Sequence, residues 1–379
     1  MAYDLIQTND EGFVLAGSIA KTIGSDMLLI KTDPNGIQEW NLTYGGSESY
    51  AAYALLQTPD QAFVITGRKL HYNGSGFPSA FAWKTEMWLT KISSNGAVLW
   101  SKTYSRADHD GAVAIVQTDD KGFVLAGYST SFDPRISGAW LIKTDANGIM
   151  QWNQFYVNAF GMEDLIQTTD GGFALAGGLG GDMWLMKVGA NGVAQWNQTY
   201  RDKDLDRALG VVQTGDNGFA LAGYIGSKLY DPTQPDSSNM WLVKTDENGI
   251  MQWNKTYGGT KVDGASSLVQ TADGGFSLAG STQSYGQGKS DLWLVKTDRN
   301  GVMQWNLTYG GTEHDSAQVH TQTVDGGFAL VGSTHSFEGG DIWLVKTGVP
   351  SKIAPGWEIL PLMVAIVILV GWDKKKRVA

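Results

Sequence analysis

Four aspartates recur at one position of a repeated pattern, and their spacing is the first in the chain that could support chemistry. Asp110, Asp206, Asp263 and Asp315 each lie seven residues before a recurring Gln-Thr pair. Carboxylates that meet at one mouth of a closed ring could hold a cation, which prefers oxygen ligands. An aspartate in a crossing loop can equally cap a turn by accepting backbone N–H bonds. Both interpretations, a shallow cation site and a set of turn caps, stay open.

Two long segments that are rich in aromatic residues are the candidates for ligand recognition. Residues 68–86 and residues 224–239 lie where the fourth copy of the pattern has only the four residues 178–181. Variable loops on a rigid scaffold commonly carry binding sites. The candidate ligand-binding residues in these segments are His71, Tyr72, Phe77, Trp83 and Tyr230.

Five Asn-x-Ser/Thr sequons make N-linked glycosylation a second prediction. Four of them follow a Trp in the repeated Trp-Asn-x-Thr pattern, which suits an exposed outer strand of an extracytoplasmic protein. The alternative is a polar rung that recurs because the repeat was copied. The candidate acceptors are Asn41, Asn73, Asn197, Asn254 and Asn306.

Composition excludes several functional classes. The chain has no Cys and only five His, none paired at a ligand spacing such as HxxxH, which argues against disulfides and zinc. A net charge of −10 argues against a nucleic-acid partner. No catalytic triad or phosphate-binding loop stands out. We therefore predict no catalysis and no cofactor, and we interpret the Lys that recurs once per repeat, Lys296 for example, as structural.

The elements that position these residues come from a sevenfold internal repeat. Equivalent segments begin at Gln7, Gln57, Gln117, Gln167, Gln213, Gln270 and Gln322. A period near 50 residues with several strands per unit is typical of a β-propeller. The pattern predicts an all-β, seven-bladed propeller over residues 1–347, with units that start near 1, 51, 111, 161, 207, 264 and 316.

The sixth unit shows the four strands that each unit is expected to contain. The predicted strands are Ala265–Gln270, Phe276–Gly280, Asp291–Thr297 and Val302–Tyr309. Gly-Gly and Asn-Gly turns separate the first pair and the second pair, because these dipeptides supply the positive φ that tight hairpins need. Small residues in the first strand, Ala265 for example, place it next to the axis. The Trp-Asn strand is then outermost.

Aromatic residues recur in the second, third and fourth strands, as Phe276, Trp293 and Trp305 do in the sixth unit. Large aromatic side chains between blades would bury much apolar area. We interpret them as inter-blade core. The alternative is a platform on which a sugar or a cofactor stacks.

The segment LWLVKTDRNGVMQWN at residues 292–306 resembles the repeat of quinoprotein-type propellers. More broadly, residues 1–347 resemble the repeat-rich β-propeller surface proteins of archaea and some bacteria. The resemblance implies the fold and a place at the cell surface. The calcium and quinone ligands of quinoprotein dehydrogenases have no recognisable equivalent in this sequence, so their chemistry does not carry over.

The two ends of the chain depart from the repeat. The seventh unit stops at Thr347 without a Trp-Asn strand, which predicts a last blade that lacks its outer strand and a missing N-terminal piece with a signal peptide. Residues 348–356 are a linker, 357–373 are predicted to be a transmembrane helix, and 374–379 a basic cytoplasmic tail. Pro355-Gly356-Trp357 resembles the Pro-Gly-Phe sorting tails of archaeal surface proteins, with Trp in place of Phe. The anchor residues would be Trp357, Trp372, Lys374, Lys375, Lys376 and Arg377.

These observations favour a membrane-anchored, extracytoplasmic and monomeric propeller. It would act as a binding, adhesion or cell-envelope module with a glycan or protein ligand. One alternative is a quinone-dependent or hydrolytic propeller enzyme with its site on the variable-loop face. The other is a tail-anchored cytosolic scaffold. An active site should break the repeat in a few blades with convergent acids, His or Arg.

Overall fold

The computed structural model describes residues 1–22, 24–72, 83–131, 137–159, 161–202, 205–227, 237–336, 342–348 and 368–370. The side chains of Tyr72, Trp83, Ser227 and residues 368–370 lie outside this description. All regular structure in these ranges is β-strand, as the sequence predicts for residues 1–347.

Each unit forms four antiparallel strands in chain order. The first three units contain β1 (Ala2–Gln7), β2 (Phe13–Ala20), β3 (Ser25–Thr32), β4 (Gln38–Tyr44), β5 (Ser49–Gln57), β6 (Phe63–Tyr72), β7 (Trp83–Ile92), β8 (Val98–Tyr104), β9 (His109–Gln117), β10 (Phe123–Thr130), β11 (Gly138–Thr144) and β12 (Met150–Val157). The fourth and fifth contain β13 (Met162–Gln167), β14 (Phe173–Leu179), β15 (Asp182–Val188), β16 (Ala194–Tyr200), β17 (Leu205–Gln213), β18 (Phe219–Ser227), β19 (Asn239–Thr245) and β20 (Met251–Tyr257).

The last two units contain β21 (Asp263–Gln270), β22 (Phe276–Thr282), β23 (Asp291–Thr297), β24 (Met303–Tyr309), β25 (Asp315–Gln322), β26 (Phe328–Thr334), β27 (Ile342–Thr347) and β28 (Ile368–Val370). A parallel pairing of Thr85 with His109 joins the second and third units into one eight-stranded sheet.

At one end of the blades, the first turn has the same chemistry in all seven, and the Asp-capped second turn occurs in the first, third, fifth and sixth; the sixth blade shows both. Between β21 and β22, Asp273 accepts hydrogen bonds from the Thr271 hydroxyl at 2.6 Å and the Gly275 N–H at 3.0 Å. Between β23 and β24, Asp298 accepts from the N–H groups of Asn300 and Val302. Gly301 has φ +73°, which the Asn-Gly signal predicted.

The blades pack through aromatic pairs that the repeat had predicted. The outer-strand Trp of each of six units meets the Phe that opens the second strand of the next. The ring centroids lie between 5.8 Å apart, at Trp196–Phe219, and 6.4 Å apart, at Trp152–Phe173. Third-strand Trp residues are also buried, Trp293 being 1% exposed. These residues form the inter-blade core.

The first blade closes the ring by packing against the seventh. Leu5, Phe13 and Leu15 share a buried cluster with Val331 and Leu344. The Gln7 side chain accepts a hydrogen bond from the Val324 N–H at 3.0 Å. Gln213 and Thr169 make the same bond between the fifth and fourth units, so closure repeats an ordinary blade-to-blade contact.

The sequence predicted that the seventh blade lacks its outer strand, and this prediction is wrong. Ile368–Val370 pairs antiparallel with β27, with Ile342 opposite Val370 and Leu344 opposite Ile368. An open strand edge presents unpaired N–H and C=O groups, and a β-branched apolar segment can satisfy them. These three residues, predicted to lie in a transmembrane helix, are therefore a strand. Within the described ranges, no helix has the length and apolar character that a membrane span requires.

Candidate functional site

A cavity of about 660 Å³ occupies the axis of the ring, because residues of all seven blades line it. Its wall comes mainly from the first strands, whose small residues Ala52, Ala112 and Ala208 are fully buried behind it. The variable loops between second and third strands open at one end of this axis. The acids and arginines around the cavity occur in only some of the blades, whereas the scaffold around them repeats in all seven.

Two aspartates of the first and fourth blades lie at equivalent positions in this wall. Asp4 accepts the N–H groups of Leu5 at 2.8 Å and Leu55 at 2.7 Å. Asp164 accepts those of Leu165 at 2.8 Å and Val211 at 2.9 Å. Each carboxylate thus joins its own strand to the next blade. Burial raises the pKa of Asp4 to about 7 and that of Asp164 to about 6.

A third acid, Glu163, is neutralised by an arginine of the fifth blade. The Arg207 guanidinium donates to the Glu163 carboxylate in a close ion pair. Burial raises the pKa of Glu163, and the Arg207 charge opposes that rise. The Arg207 Nε is buried without a partner among the described residues. The pair closes one side of the cavity with no net charge.

The opposite side of the cavity carries an arginine among tyrosines. The Arg68 guanidinium carbon lies 5.8 Å from the centre of the Tyr53 ring, and the side chain of Tyr128 is close enough to influence the Arg68 pKa. The Tyr3 and Tyr53 rings meet edge to face at 5.0 Å. Burial raises the pKa of Tyr53 to about 12, so its phenol stays protonated as a donor.

His320 of the seventh blade also lines the cavity, but it is committed to the core. Its Nε2 lies 2.5 Å from the Ser277 hydroxyl and its Nδ1 lies 2.9 Å from that of Ser267. Burial lowers the pKa of His320 to about 3, so the ring is neutral at ordinary pH. A histidine held in this way is poorly suited to act as a general base near neutral pH.

Sequence reasoning missed the residues of this axial cluster: Tyr3, Asp4, Tyr53, Arg68, Tyr128, Glu163, Asp164, Arg207 and His320. The signal was present in the aligned copies. Three residues before the repeated Gln stand Asp4, Ala54, Ala114, Asp164, Gly210, Ser267 and Val319. Five blades have a small or apolar residue at this position and two have an aspartate. That departure from the repeat marks the residues that form the wall of the axis.

The four aspartates first considered as cation ligands lie one in each of four blades, at the loop end of the axis. Asp315, for example, accepts the Gly311 N–H at 2.9 Å and the Ser336 hydroxyl at 2.5 Å, together with the Thr334 hydroxyl. Asp110, Asp206 and Asp263 are likewise buried and accept N–H groups of their own loops. These contacts are those of turn caps. In the described part of the chain, no three acidic or histidine side chains are grouped as a metal site would need.

The candidate recognition loops are described in part. His71 lies between Glu48 at 3.1 Å and Glu86 at 2.9 Å, and Lys69 contacts Glu48 at 2.7 Å. Tyr72 pairs with Trp83 at the end of an elongated hairpin of β6 and β7. Phe77 and Tyr230 lie outside the described residues, as do Asn73 and the six anchor residues of the tail.

The remaining sequons lie on exposed outer strands, where the asparagines also have a structural contact. The Trp241 indole donates to Asn254 at 3.2 Å, and that of Trp293 donates to Asn306 at 3.1 Å. Asn41 and Asn197 are exposed at equivalent positions. The polar-rung interpretation is therefore supported, and glycosylation stays a prediction.

The lysine of each repeat is structural in all seven blades. Lys296 is nearly buried, and its Nζ lies 2.9 Å from Asp273, the aspartate of the first turn. The same ion pair recurs at Lys31–Asp10, Lys91–Asp60, Lys143–Asp120, Lys187–Asp170, Lys244–Asp216 and Lys346–Asp325. Each pair joins the third strand to the first turn of its blade.

The closed ring of four-stranded blades defines the protein as a β-propeller, and solved structures agree. The chain is similar to the hydrazine synthase of Kuenenia stuttgartiensis, with a TM-score of 0.58, 10% identity and coverage of 92% of this chain and 96% of that one. It is similar to the Pan2 WD40 domain of Neurospora crassa, with a TM-score of 0.56, 10% identity and coverage of 87% and 85%.

A third similar structure is Chaetomium thermophilum Sqt1 bound to the N-terminus of ribosomal protein L10. It has a TM-score of 0.50, 12% identity and coverage of 91% and 93%. Identities this low show the fold alone. No protein-family model matches the sequence, and a search of curated proteins finds no significant match.

Proposed function

We propose that this propeller is a non-catalytic binding module that recognises a protein or glycan ligand with its variable-loop face. The observation that carries the proposal is the contrast between the two faces. On the turn face, the Thr-Asp contact of the first turn recurs in all seven blades. On the other face, the hairpin of β6 and β7 extends to Tyr72–Trp83, whereas β14 and β15 end at Leu179–Asp182. Variation limited to one face of a rigid ring suits recognition.

The charged groups of the axial cavity favour binding over catalysis. Both oxygens of Asp4 and of Asp164 accept backbone N–H groups, and Glu163 is paired with Arg207. A general acid or base must reach the substrate with its reactive atom. Among the similar structures, Sqt1 holds the N-terminus of ribosomal protein L10, which is a precedent for a protein segment as ligand of such a ring.

The location belongs to the same proposal. We place the propeller outside the cytoplasm, at the cell surface. Exposed sequons at Asn41, Asn197, Asn254 and Asn306 are consistent with a glycosylated surface protein.

One experiment on intact cells tests both parts. Cells express the full chain or a variant in which residues 70–85 are replaced by Gly-Gly, the connection that Gly180-Gly181 makes in the fourth blade. External protease should degrade the propeller in both. Labelled glycan and peptide libraries should bind only cells with the full chain. Protection of both proteins from protease contradicts the location, and equal ligand binding by both, or none by either, contradicts recognition through this hairpin.

A further inference from the structure

Arg68 differs from the other charged groups of the axial cavity because most of its donors remain available. Its side chain is exposed and faces the cavity. Among the described residues, no carboxylate lies within ion-pair distance of it, and its nearest titratable neighbours are the tyrosines Tyr53 and Tyr128. A guanidinium has five N–H donors in a planar fork. Most of these are free to meet an anion.

The acids around the same cavity cannot serve a ligand equally well. Asp4 and Asp164 each use both oxygens to join neighbouring blades. Glu163 is neutralised by Arg207. The acceptor atoms of these acids are therefore already used. The donors of Arg68 face open space. So does the Tyr53 hydroxyl, for which no hydrogen bond is found in the described part of the chain. The cavity therefore offers free hydrogen-bond donors to a ligand that carries acceptor atoms.

The arginine and tyrosine donors lie in one sector of the ring, because the other blades have different residues at the equivalent positions. At the Arg68 position the other blades carry Ser18, Tyr128, Gly178, Tyr224, Ser281 and Ser333. At the Tyr53 position they carry Tyr3, Val113, Glu163, Leu209, Ser266 and Gln318. The arginine and the tyrosines that line the cavity are therefore concentrated in the first three blades. Val113, Ile115 and Leu209 supply apolar surface farther round the wall.

We propose that the axial cavity binds a small organic anion, a carboxylate or a phosphate monoester, whose oxygens meet the Arg68 guanidinium and the hydroxyls of Tyr53 and Tyr128. The apolar part of the ligand lies against Val113, Ile115 and Leu209. A volume of about 660 Å³ suits such a molecule, since small-molecule sites span roughly 300–1,000 Å³. Planar two-pronged donation is the geometry in which arginine recognises carboxylate and phosphate. This site does not depend on the loop-face hairpin and goes beyond the function proposed above.

Calorimetric titration of the full chain at constant ionic strength tests the site. The probes are benzoate and phenyl phosphate, with acetate and inorganic phosphate to measure the gain from the apolar part, and benzylamine as a cation of similar shape. The variants are Arg68→Ser, which introduces the residue of three other blades, and Tyr53→Phe, which removes one hydroxyl. Arg299→Ser is the control, because Arg299 is exposed in a turn of the opposite face and its loss changes the net charge equally.

We expect saturable binding of benzoate or phenyl phosphate by the wild type, and the stronger of the two identifies the class of anion. Arg68→Ser should weaken it about tenfold or more and Tyr53→Phe about threefold to tenfold, as expected for the loss of a charged and of a neutral hydrogen bond. Arg299→Ser should bind as the wild type does. Binding unchanged in Arg68→Ser, tighter binding of benzylamine than of either anion, or no saturable anion binding by the wild type would overturn the proposal.

Discussion

At the scale of single residues, identical carboxyl groups have opposite titration behaviour because of their surroundings. In the turns, hydrogen bonds and the adjacent lysine hold the pKa of Asp120 and Asp170 at about 2, despite partial burial. In the axial wall, burial dominates and raises the pKa of Asp4 and Asp164. The turn aspartates therefore favour folding above about pH 4 and lose that effect as the pH falls towards 2.

The axial aspartates affect the pH dependence of stability in the opposite direction, and this gives the first prediction. Their folded pKa values of about 7 and about 6 exceed the ordinary 3.8, so the folded state holds protons that the unfolded chain releases. Stability should fall as the pH rises from about 4 to 7 and then level off. In Asp4→Ala/Asp164→Ala, which copies Ala54 and Ala114, the fall should be less than half as large. Guanidinium midpoints measured from pH 4 to pH 8 check this, and equal slopes in the two proteins would contradict it.

At the scale of the element, the outer strand shows why Trp and Asn recur together. The asparagine does not pair with its neighbouring Trp. It accepts the indole N–H of the third-strand Trp, as Asn254 does from Trp241 and Asn306 from Trp293. In the second blade Ser101 has this role towards Trp88, at 2.9 Å. A nearly buried indole needs an acceptor, so this contact alone is enough to keep a polar residue on the outer strand.

The first blade offers a control for a second prediction. Its third strand has Leu28 where the others have Trp, opposite Thr43 as Trp241 is opposite Thr256. Asn254→Ala should therefore lower the free energy of unfolding by about 1 kcal/mol, because the Trp241 indole loses its acceptor. Asn41→Ala should change it by less than about 0.5 kcal/mol. Denaturant unfolding of unglycosylated protein gives both values, and equal losses would show that the indole contact is not the reason for the asparagine.

At the scale of the whole molecule, stability depends on whether the ring is closed. The first and seventh blades share an apolar cluster of the same kind as the other interfaces. The first strand of each blade packs against the blade before it. Leu5 contacts the seventh blade in this way, and Leu268 contacts the fifth from the equivalent position in the sixth. A closed ring makes these two leucines energetically equivalent.

Matched substitutions of these leucines give the third prediction. Leu5 and Leu268 are 4% and 7% exposed, so truncation of either should leave a cavity between blades. Leu5→Ala and Leu268→Ala should each reduce the free energy of unfolding by about 2–4 kcal/mol, and the two losses should agree to within about 1 kcal/mol, roughly the scatter of such substitutions. A loss for Leu5→Ala close to zero, beside a full loss for Leu268→Ala, would mean that the first and seventh blades do not pack in solution.

The sequence alone determined the repeating unit of this propeller. Asn-Gly and Gly-Gly turns, alternating strands and recurrent aromatics are local signals, and copying them seven times made the strand bounds and the inter-blade core of the sixth unit predictable. Tertiary structure alone decided what meets at the axis. Arg68, Tyr53 and Tyr128 come from two neighbouring blades, and Glu163 and Arg207 from two others, so only the packing of blades brings them together. The same holds for Ile368–Val370, whose apolar character suggested a membrane span until the open edge of β27 offered its backbone a partner. The local sequence pattern predicts where strands form. Which segments far apart in the chain then meet depends on the strand edges and cavities that the folded ring leaves open.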